Sequence, residues 1–363
     1  MRATRSSAAA VAALLAAPVA VADSLLLIPD SQGDKVWAFS AWDGALVSNA
    51  FIPNDGRMKL VMQVAQTPQG TLLMTDVGND QSCTDDAIRE YSPCGQYLRT
   101  VAGPADGVCN PEGITIAYGK VWFTRLYDAA QEPACPTCTG QFNALWSMNF
   151  DGTGLARQCT NPSFGKIWSL CPSGGGFIVG DSADNNLEFS PASCTPSAPF
   201  YAYGGGGAFA RLPQQIGVLP DGTVMAAFFA ASQGSNFGVY FFSPAGELQG
   251  AISTPACRGV HPLGNGEILC SGGTQVVAYN PVTGQFRTIV NQVSPLASFR
   301  WIAPAVTCRT DLNCSGRIDG ADLSELLSQW GSAGSADFNG SGNVDGADLS
   351  VLLASWGPCA GSP

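Results

Sequence analysis

The chain has 363 residues, of which 45% are hydrophobic and only 12% are charged, and it contains 43 Gly and 24 Pro. This composition supplies apolar material for a large core and favours many short strands joined by tight turns. The formal net charge of −11 offers no basic surface that would release counterions from a phosphate backbone, which argues against nucleic acid as a partner.

The first 22 residues have the three parts of a secretory signal peptide. Arg2 and Arg5 form a positive start, an apolar run extends from Ala8 to Ala20, and Ala20-Val21-Ala22 is a small-residue cleavage site. The apolar run is shorter than the roughly 20 residues that cross a bilayer. We therefore predict a signal peptide at 1–22, a mature chain without a transmembrane segment, and a secreted, extracellular or cell-surface location.

The cysteine content agrees with export. Thirteen cysteines in a secreted chain predict several disulfides, and their odd number leaves one thiol unpaired or joined to another chain. Cys135 and Cys138 form a C-x-x-C pair, which we interpret as a disulfide staple because no second pair follows at zinc-like spacing.

Residues 23–306 are predicted to form an all-β, six-bladed propeller. Turn signals such as Pro68-Gln69-Gly70 and Pro220-Asp221-Gly222 alternate with a second set that includes Trp42-Asp43-Gly44 and Pro93-Cys94-Gly95. The two sets interleave at roughly 40 to 55 residues, which is the spacing of four-stranded blades. A seven-bladed propeller or a pair of β-sandwiches remains an alternative.

The two ends of this region predict how the ring closes. The first blade begins directly at "LLLIPD" from Leu25 and lacks an innermost strand, while "SFRWIAPAV", from Ser298 to Val306, is an apolar run with no blade after it. We expect the late strand to complete the early blade, which would remove exposed sheet edges.

The strand-turn phrases "VAQTPQGTLLMTD" and "IGVLPDGTVMAAF" resemble those of six-bladed NHL and gluconolactonase-like propellers. Enzymes of the gluconolactonase type hold a metal with a Glu, Asn and Asp set. The resemblance implies that Glu112 and Asp181 supply two members, but the asparagines cannot be placed.

Acidic residues follow the second strand of three blades. Asp30, Asp76 and Asp181 come after "LLLIP", "LLMT" and "FIVG", and Arg125 holds the corresponding place after "VWFT". A ring of carboxylates would suit calcium. Alternatively, each Asp caps the turn that follows it by accepting backbone N–H groups, which is the interpretation we favour.

The sequence contains few residues suited to catalysis by a nucleophile and a general base. His261 is the one histidine, and no G-x-S-x-G motif accompanies it. The propeller is therefore predicted to bind a ligand that the sequence does not identify, with no catalytic residue assigned. A metal-dependent lactonase or a carbohydrate-active enzyme is the alternative.

The chain ends on two copies of one phrase, "DLNCSGRIDGADLSELLSQWG" and "DFNGSGNVDGADLSVLLASWG". Their polar residues follow the ligand spacing of a 12-residue calcium loop, in which Gly at position 6 permits a sharp turn and position 7 offers a backbone carbonyl. The predicted ligands of two calcium ions are Asp311, Asn313, Ser315, Arg317, Asp319 and Asp322 in the first loop, and Asp337, Asn339, Ser341, Asn343, Asp345 and Asp348 in the second.

A helix is predicted after each loop, ending at Gly331 and at Gly357. The apolar stripes are expected to form the core between the helices. They consist of Leu323, Leu326, Leu327 and Trp330 in the first copy, and of Leu349, Leu352, Leu353 and Trp356 in the second.

These repeats resemble a dockerin domain, whose two loop-helix units also carry Asp at the twelfth position. The resemblance implies that residues 307–359 form a small all-α, calcium-dependent module that docks the propeller onto a cohesin-like or cell-surface partner. The chain departs from cellulosomal dockerins at the tenth and eleventh loop positions, where Gly320-Ala321 and Gly346-Ala347 replace a polar pair. Cys308 and Cys359 bracket the module and are expected to join its ends, which leaves Cys314 as the candidate unpaired thiol.

Overall fold

The computed structural model describes residues 24–78, 84–126, 143–160, 165–182, 186–191, 198–202, 211–230, 238–254, 257–292, 298–339 and 341–359. The predicted signal peptide and the Cys135/Cys138 pair lie outside these ranges. Among the described residues, no helix is both long enough and apolar enough to cross a membrane.

Twenty-four strands form six four-stranded antiparallel sheets, arranged as the blades of a propeller. The strands are β1 (Ser24–Asp30), β2 (Lys35–Ser40), β3 (Leu46–Ile52), β4 (Val61–Gln66), β5 (Leu72–Asp76), β6 (Ala87–Tyr91), β7 (Tyr97–Ala102), β8 (Pro111–Ala117), β9 (Lys120–Arg125), β10 (Ala144–Met148), β11 (Ala156–Thr160), β12 (Ile167–Ser173), β13 (Gly176–Asp181), β14 (Asn186–Pro191), β15 (Ala198–Tyr201), β16 (Arg211–Val218), β17 (Val224–Ala230), β18 (Gly238–Phe242), β19 (Leu248–Ser253), β20 (Gly259–Pro262), β21 (Ile268–Gly272), β22 (Gln275–Asn280), β23 (Gln285–Asn291) and β24 (Ala303–Val306). A short 3-10 helix spans Pro104–Asp106.

Blade 1 has the order β24-β1-β2-β3, and blades 2 to 6 follow in chain order, from β4–β7 to β20–β23. The innermost strands are therefore β24, β4, β8, β12, β16 and β20. Six sheets in this order confirm the six-bladed prediction over the seven-bladed and sandwich alternatives.

The blades pack on one another through six apolar clusters, one between each neighbouring pair. The second strands β5, β13 and β21 are buried at every position, because a blade packs against each of their faces. Outer strands such as β7 and β23 are largely exposed. This explains why the second strands are continuous apolar runs such as "LLMTD" and "GFIVGD".

The ring closes as predicted. Strand β24 pairs antiparallel with β1, with Ser24 opposite Val306 and Leu27 opposite Ala303. The Gln66 side chain of blade 2 also donates to the Val306 carbonyl at 2.7 Å and accepts from the Val306 N–H at 2.8 Å. The last strand therefore ties blade 1 to blade 2 as well as completing its own sheet.

The C-terminal segment contains two helices, α1 (Gly320–Ser328) and α2 (Gly346–Ala354), and a two-stranded ribbon of β25 (Arg317–Ile318) and β26 (Gly357–Pro358). Its small core includes Ile318, Phe338 and Val344 together with Leu326 and Leu352.

The apolar stripes of the two helices are only partly in that core, so the expectation that they form it was wrong for half of their members. Leu326 and Leu352 are fully buried, and Leu323 and Leu349 pack against the core. In contrast, four side chains are about half exposed: Leu327 (51%), Trp330 (48%), Leu353 (51%) and Trp356 (49%). Trp330 and Trp356 lie beyond the last helical residues, Ser328 and Ala354, so the helical stripe does not extend to them.

Two disulfides involve the C-terminal segment. Cys308 pairs with Cys359, as expected from their positions at its two ends. Cys314 pairs with Cys94 of the β6–β7 turn, which corrects the prediction that Cys314 is the unpaired thiol. The repeat relates Cys314 only to residues of the C-terminal segment. In the folded protein, the loop that contains Cys314 lies next to the propeller turn that contains Cys94.

Candidate functional site: the channel mouth and the repeated loops

The first residues of the innermost strands form one mouth of the central channel. In four blades the pairing with the second strand shifts register there, at Val61/Val64, Pro111/Ile114, Ile167/Ser169 and Pro213/Ile216. Such bulges commonly redirect side chains beside functional sites. In this protein the bulges lie at equivalent positions, near the start of the inner strand, in blades 2, 3, 4 and 5.

Hydroxyl groups on the second strand of one blade hold the first inner-strand residues of the next blade in place. Thr75 donates to the carbonyl of Glu112 at 2.6 Å, and Thr124 donates to the carbonyl of Trp168 at 3.0 Å. Ser271 donates to the carbonyl of Arg300 at 2.5 Å. In each case one blade holds the first inner-strand residues of the next, so these residues are equivalent around the ring.

Two glycines permit the blades to approach closely at this level. A Cβ at Gly113 would lie 2.7 Å from the Trp168 carbonyl oxygen, and one at Gly259 would lie 2.7 Å from that of Arg300. The residues just before them, Glu112 and Arg258, therefore occupy matching positions in blades 3 and 6.

Three charged residues lie at the starts of inner strands around the mouth. Glu112 belongs to blade 3, Arg258 directly precedes β20 of blade 6, and Arg300 precedes β24 of blade 1. Burial raises the pKa of Glu112 from 4.5 to about 7, while the positive charges of Arg300 and Arg258 act in the opposite direction. The sequence-predicted Glu112 is thus a buried acid near the start of the inner strand of blade 3, at the level of the mouth.

Burial likewise lowers the pKa of Arg258 to about 10, with the neighbouring charge of Arg300 acting in the same direction. The pKa of Arg300 is lowered by burial too. Cation binding by Glu112, which the lactonase alternative requires, is opposed by these two guanidinium groups.

Asp30 caps the turn that follows it, as the favoured interpretation predicts, whereas Asp76 accepts mainly from backbone N–H groups that precede it in the chain. Asp30 accepts from the N–H groups of Gln32 at 3.3 Å, Gly33 at 3.1 Å and Ser298 at 2.9 Å. Asp76 accepts from Lys59 at 3.2 Å and Leu60 at 2.9 Å, and forms an ion pair with Arg89 at 3.1 Å.

Asp181 follows the same pattern, accepting from the N–H groups of Gly165 at 2.6 Å and Lys166 at 2.9 Å. Arg125 donates to the Cys109 carbonyl at 3.1 Å and lies 4.5 Å from the Trp146 ring centroid. Within the described part of the propeller, no three acidic, Cys or His ligand atoms lie within 4.8 Å of one another.

Further along the channel, a cavity of about 450 Å³ is lined mainly by β4, β8 and β24. The Gln215 side chain of blade 5 spans its edge, since its Oε1 accepts from the N–H groups of Val260 at 3.0 Å and Ile302 at 2.8 Å. The Gln63 Oε1 similarly accepts from Ile114 at 2.9 Å. These amides link the inner strands.

The two repeated loops adopt the same hydrogen-bond pattern. In the first, Asp311 accepts from the N–H groups of Ser315 at 2.9 Å and Gly316 at 2.7 Å. In the second, Asp337 accepts from Ser341 at 3.0 Å and Gly342 at 2.7 Å.

The last acid of each loop opens the following helix. Asp322 and Asp348 are buried, and each accepts from the N–H of the helix N-cap, Asp319 at 2.8 Å and Asp345 at 2.9 Å. The side chains of Asp319 and Asp345 in turn accept from the N–H groups of Ala321 and Ala347. Both helices therefore begin with a capping box. Asp319 and Asp345 therefore serve the helix as well as the loop.

The chemistry of these loops suits a hard cation. Ser315 Oγ lies 3.0 Å from the Arg317 carbonyl oxygen and 3.5 Å from Asp311 Oδ1, and Asn313 Oδ1 shares the Ser315 N–H with Asp311. The oxygens grouped in this loop are a mixture of carboxylate, amide, hydroxyl and carbonyl types, the kind of set that calcium takes. The nearby group of Cys308, Asp311 and Cys359 offers no free thiolate, because its sulfurs form a disulfide.

No family model matches the chain, and no curated protein matches it. Among solved structures, the chain is similar to one from a nidogen/laminin complex, with a TM-score of 0.59, 14% identity, and coverage of 78% of this chain and 100% of that one. It is also similar to a protein of unknown function from Bacteroides caccae, with a TM-score of 0.51, 13% identity, and coverage of 78% and 99%. A gluconolactonase from Xanthomonas campestris gives a TM-score of 0.48 at 18% identity over 68% of this chain and 79% of that one. At these identities the likeness concerns the β-propeller fold alone.

Sequence reasoning placed Glu112 but missed Arg258 and Arg300. One signal was present, since "PEG" at Pro111–Gly113 and "CRG" at Cys257–Gly259 both put a charged residue before a glycine at the start of an inner strand. Only the fold shows that the two phrases are equivalent.

Proposed function

We propose that this protein is an exported binding protein, in which the propeller carries the ligand site and the C-terminal segment is a calcium-dependent docking module. The observation that carries the proposal is the repetition of one loop geometry, with the same backbone donors on the first and last acids of both copies. Two independent mixed-oxygen loops of this spacing are hard to explain as ordinary turns.

The exposed apolar side chains support a docking role. Leu327 on α1 and Trp330 just after it are matched by Leu353 on α2 and Trp356 just after it, and all four are about half exposed. Large exposed apolar groups on a small module are typical of protein–protein interaction sites. A cohesin-like or cell-surface protein with an apolar surface is the partner that this proposal names.

Calcium would stabilise the segment through its acids. Residues 308–363 contain seven acidic residues against two arginines, Arg309 and Arg317, and the module is too small to bury much apolar surface. In such modules metal binding supplies folding free energy. Export is part of the proposal because disulfides persist in oxidising compartments.

Calorimetric titration of the full-length protein with calcium should reveal two equivalents. Asp322→Ala and Asp348→Ala should each remove one, because each deletes the twelfth-position carboxylate of one loop. Asp151→Ala is the matched control, since this acid lies on an exposed propeller turn where it accepts from Thr153. Absence of calcium uptake, or uptake unchanged in both loop variants, would refute the proposal.

A further inference from the structure

Charged groups at the channel mouth are left without ion pairs. Among the described residues, no carboxylate oxygen lies within 4.0 Å of a nitrogen of Arg258 or Arg300, and Glu112 has no cation within that distance. In contrast, Arg89 of blade 2 forms an ion pair with Asp76 at 3.1 Å. Partly buried charges are costly unless they are paired or hydrogen-bonded.

Arg258 is held in position while keeping free donors. Its Nη1 donates to Gln214 Oε1 at 3.3 Å, and its guanidinium carbon lies 3.7 Å from the Phe229 ring centroid. Its Nε is buried and has no hydrogen-bond partner. The aromatic face fixes the plane of the guanidinium, and the unused N–H groups remain available to a ligand.

Arg300 is arranged in the same way. Its Nε donates to Ser31 Oγ at 2.7 Å, and its backbone N–H donates to the Pro29 carbonyl at 2.9 Å. In the described part of the chain, neither terminal nitrogen has a partner. The Arg300 carbonyl is held by Ser271, so its backbone is fixed on both sides.

Glu112 supplies the third group. The residue is 4% exposed, and its Oε2 is buried without a hydrogen-bond partner. Two guanidinium groups and one carboxyl group thus lie at the same level of the inner strands of blades 6, 1 and 3, with a net positive balance in a chain whose formal charge is −11. A hydrogen-bonding molecule placed among them would satisfy all three.

We propose that the channel mouth binds a small molecule that carries a carboxylate or phosphoryl oxyanion. Arg258 and Arg300 bind the oxyanion through their free N–H groups, and Glu112 binds a hydroxyl or other polar group of the same molecule. Bidentate contacts from guanidinium to carboxylate or phosphate are the strong form of such recognition. This inference does not depend on calcium or on the docking module.

The site should favour the oxyanion more strongly at lower pH. The charges that act on Glu112 are those of Arg300, Arg258 and Asp86, and its pKa is about 7. Below that pH a neutral Glu112 leaves two positive charges facing the ligand, and above it a carboxylate repels the oxyanion. In Glu112→Gln this pH dependence between 6 and 8 should disappear.

The test is calorimetric titration of the full-length protein with malonate and, separately, with inorganic phosphate, at constant ionic strength. We expect one-to-one binding of at least one of them, and the stronger of the two identifies the carboxylate or the phosphoryl class. Arg258→Gln and Arg300→Gln should each weaken it by roughly tenfold to a hundredfold, as expected for a lost charge-assisted hydrogen bond.

Arg287→Gln is the matched control, because this arginine forms an exposed ion pair with Glu267 on the outer blade surface. Arg258→Lys, which keeps the charge and loses the fork, should bind at an intermediate level and guards against misfolding of the glutamine variant. Failure of both probes to bind, or binding that is equal in the wild type and in folded Arg258 and Arg300 variants, would overturn the proposal.

Discussion

Asp76 and Glu112 are both buried acids of the propeller, and their surroundings give them opposite roles. Asp76 accepts from two backbone N–H groups and pairs with Arg89, so its charge is compensated at close range. Glu112 has an unpaired oxygen and a raised pKa. A fully compensated carboxylate supports the fold, whereas an uncompensated one is available to a ligand.

Glu112→Gln should stabilise the protein at pH 8 and leave its stability nearly unchanged at pH 4. An acid whose folded pKa is raised from 4.5 to about 7 binds its proton more tightly when folded. Its penalty is absent below pH 4.5, grows as pH rises through this window, and is complete above pH 7, where it amounts to about 3 kcal/mol.

Urea unfolding at the two pH values measures this difference. Glu247→Gln, an exposed residue on the β18–β19 turn, is the control and should show no pH-dependent change. An equal effect of Glu112→Gln at both pH values would contradict the buried, proton-binding state of this side chain.

Asp76→Ala should cost about 3–5 kcal/mol of unfolding free energy, since it leaves a mostly buried Arg89 and two backbone donors without their acceptor. Asp55→Ala removes a solvent-exposed ion pair with Arg57 and should change stability by less than about 1 kcal/mol. Denaturant unfolding of both variants makes the comparison, and similar losses would show that the Asp76 contacts are not important for stability.

At the scale of the element, the short strand β24 performs the closure. Its four residues alternate between buried and exposed, with Ala303 and Ala305 packed between blades 1 and 2 and with Pro304 and Val306 outside. A period of two is what a strand with one covered face requires. The alternation allows a matched test of the closure.

Ala305→Glu should destabilise the propeller by about 3 kcal/mol or more, because it places a charge and extra volume into the cluster between blades 1 and 2. Val306→Glu, one residue later and 38% exposed, should have a small effect. Thermal unfolding followed by tryptophan fluorescence distinguishes the two, and equal midpoints would mean that β24 does not hold the ring.

At the scale of the whole molecule, the C-terminal segment is attached to the propeller at a second point beyond the chain itself. The Cys94–Cys314 disulfide joins a blade 2 turn to the first repeated loop. Beside it, an open cavity of about 500 Å³ lies between the two parts, lined by residues such as Phe51 and Leu312. Because a cavity separates part of the two surfaces, the cross-link is expected to contribute to their relative position.

Replacing both cysteines, as Cys94→Ser/Cys314→Ser, should free the segment to move on its linker. We expect a larger radius of gyration in small-angle X-ray scattering and faster hydrogen exchange around Phe51 and Leu312. Cys171→Ser, which removes a thiol that is not cross-linked, serves as the control. An unchanged scattering profile in the double variant would show that packing alone fixes the segment.

The sequence by itself determined the blade count, the closing strand and the positions of the repeated loops, because turn residues, period-two patterns and ligand spacing are local signals. It also indicated that Asp30 caps the turn after it, since the donors Gln32 and Gly33 are close in the chain, whereas the Asp76 donors Lys59 and Leu60 are brought near by the blade. Only the tertiary structure decided which distant groups meet. Arg258 and Arg300 face Glu112 because the ring brings blades 6, 1 and 3 to one axis, and Cys314 pairs with Cys94 because the last strand returns the chain to blade 2. Pairings across the ring depend on the closure of all six blades, and no stretch of sequence carries that information alone.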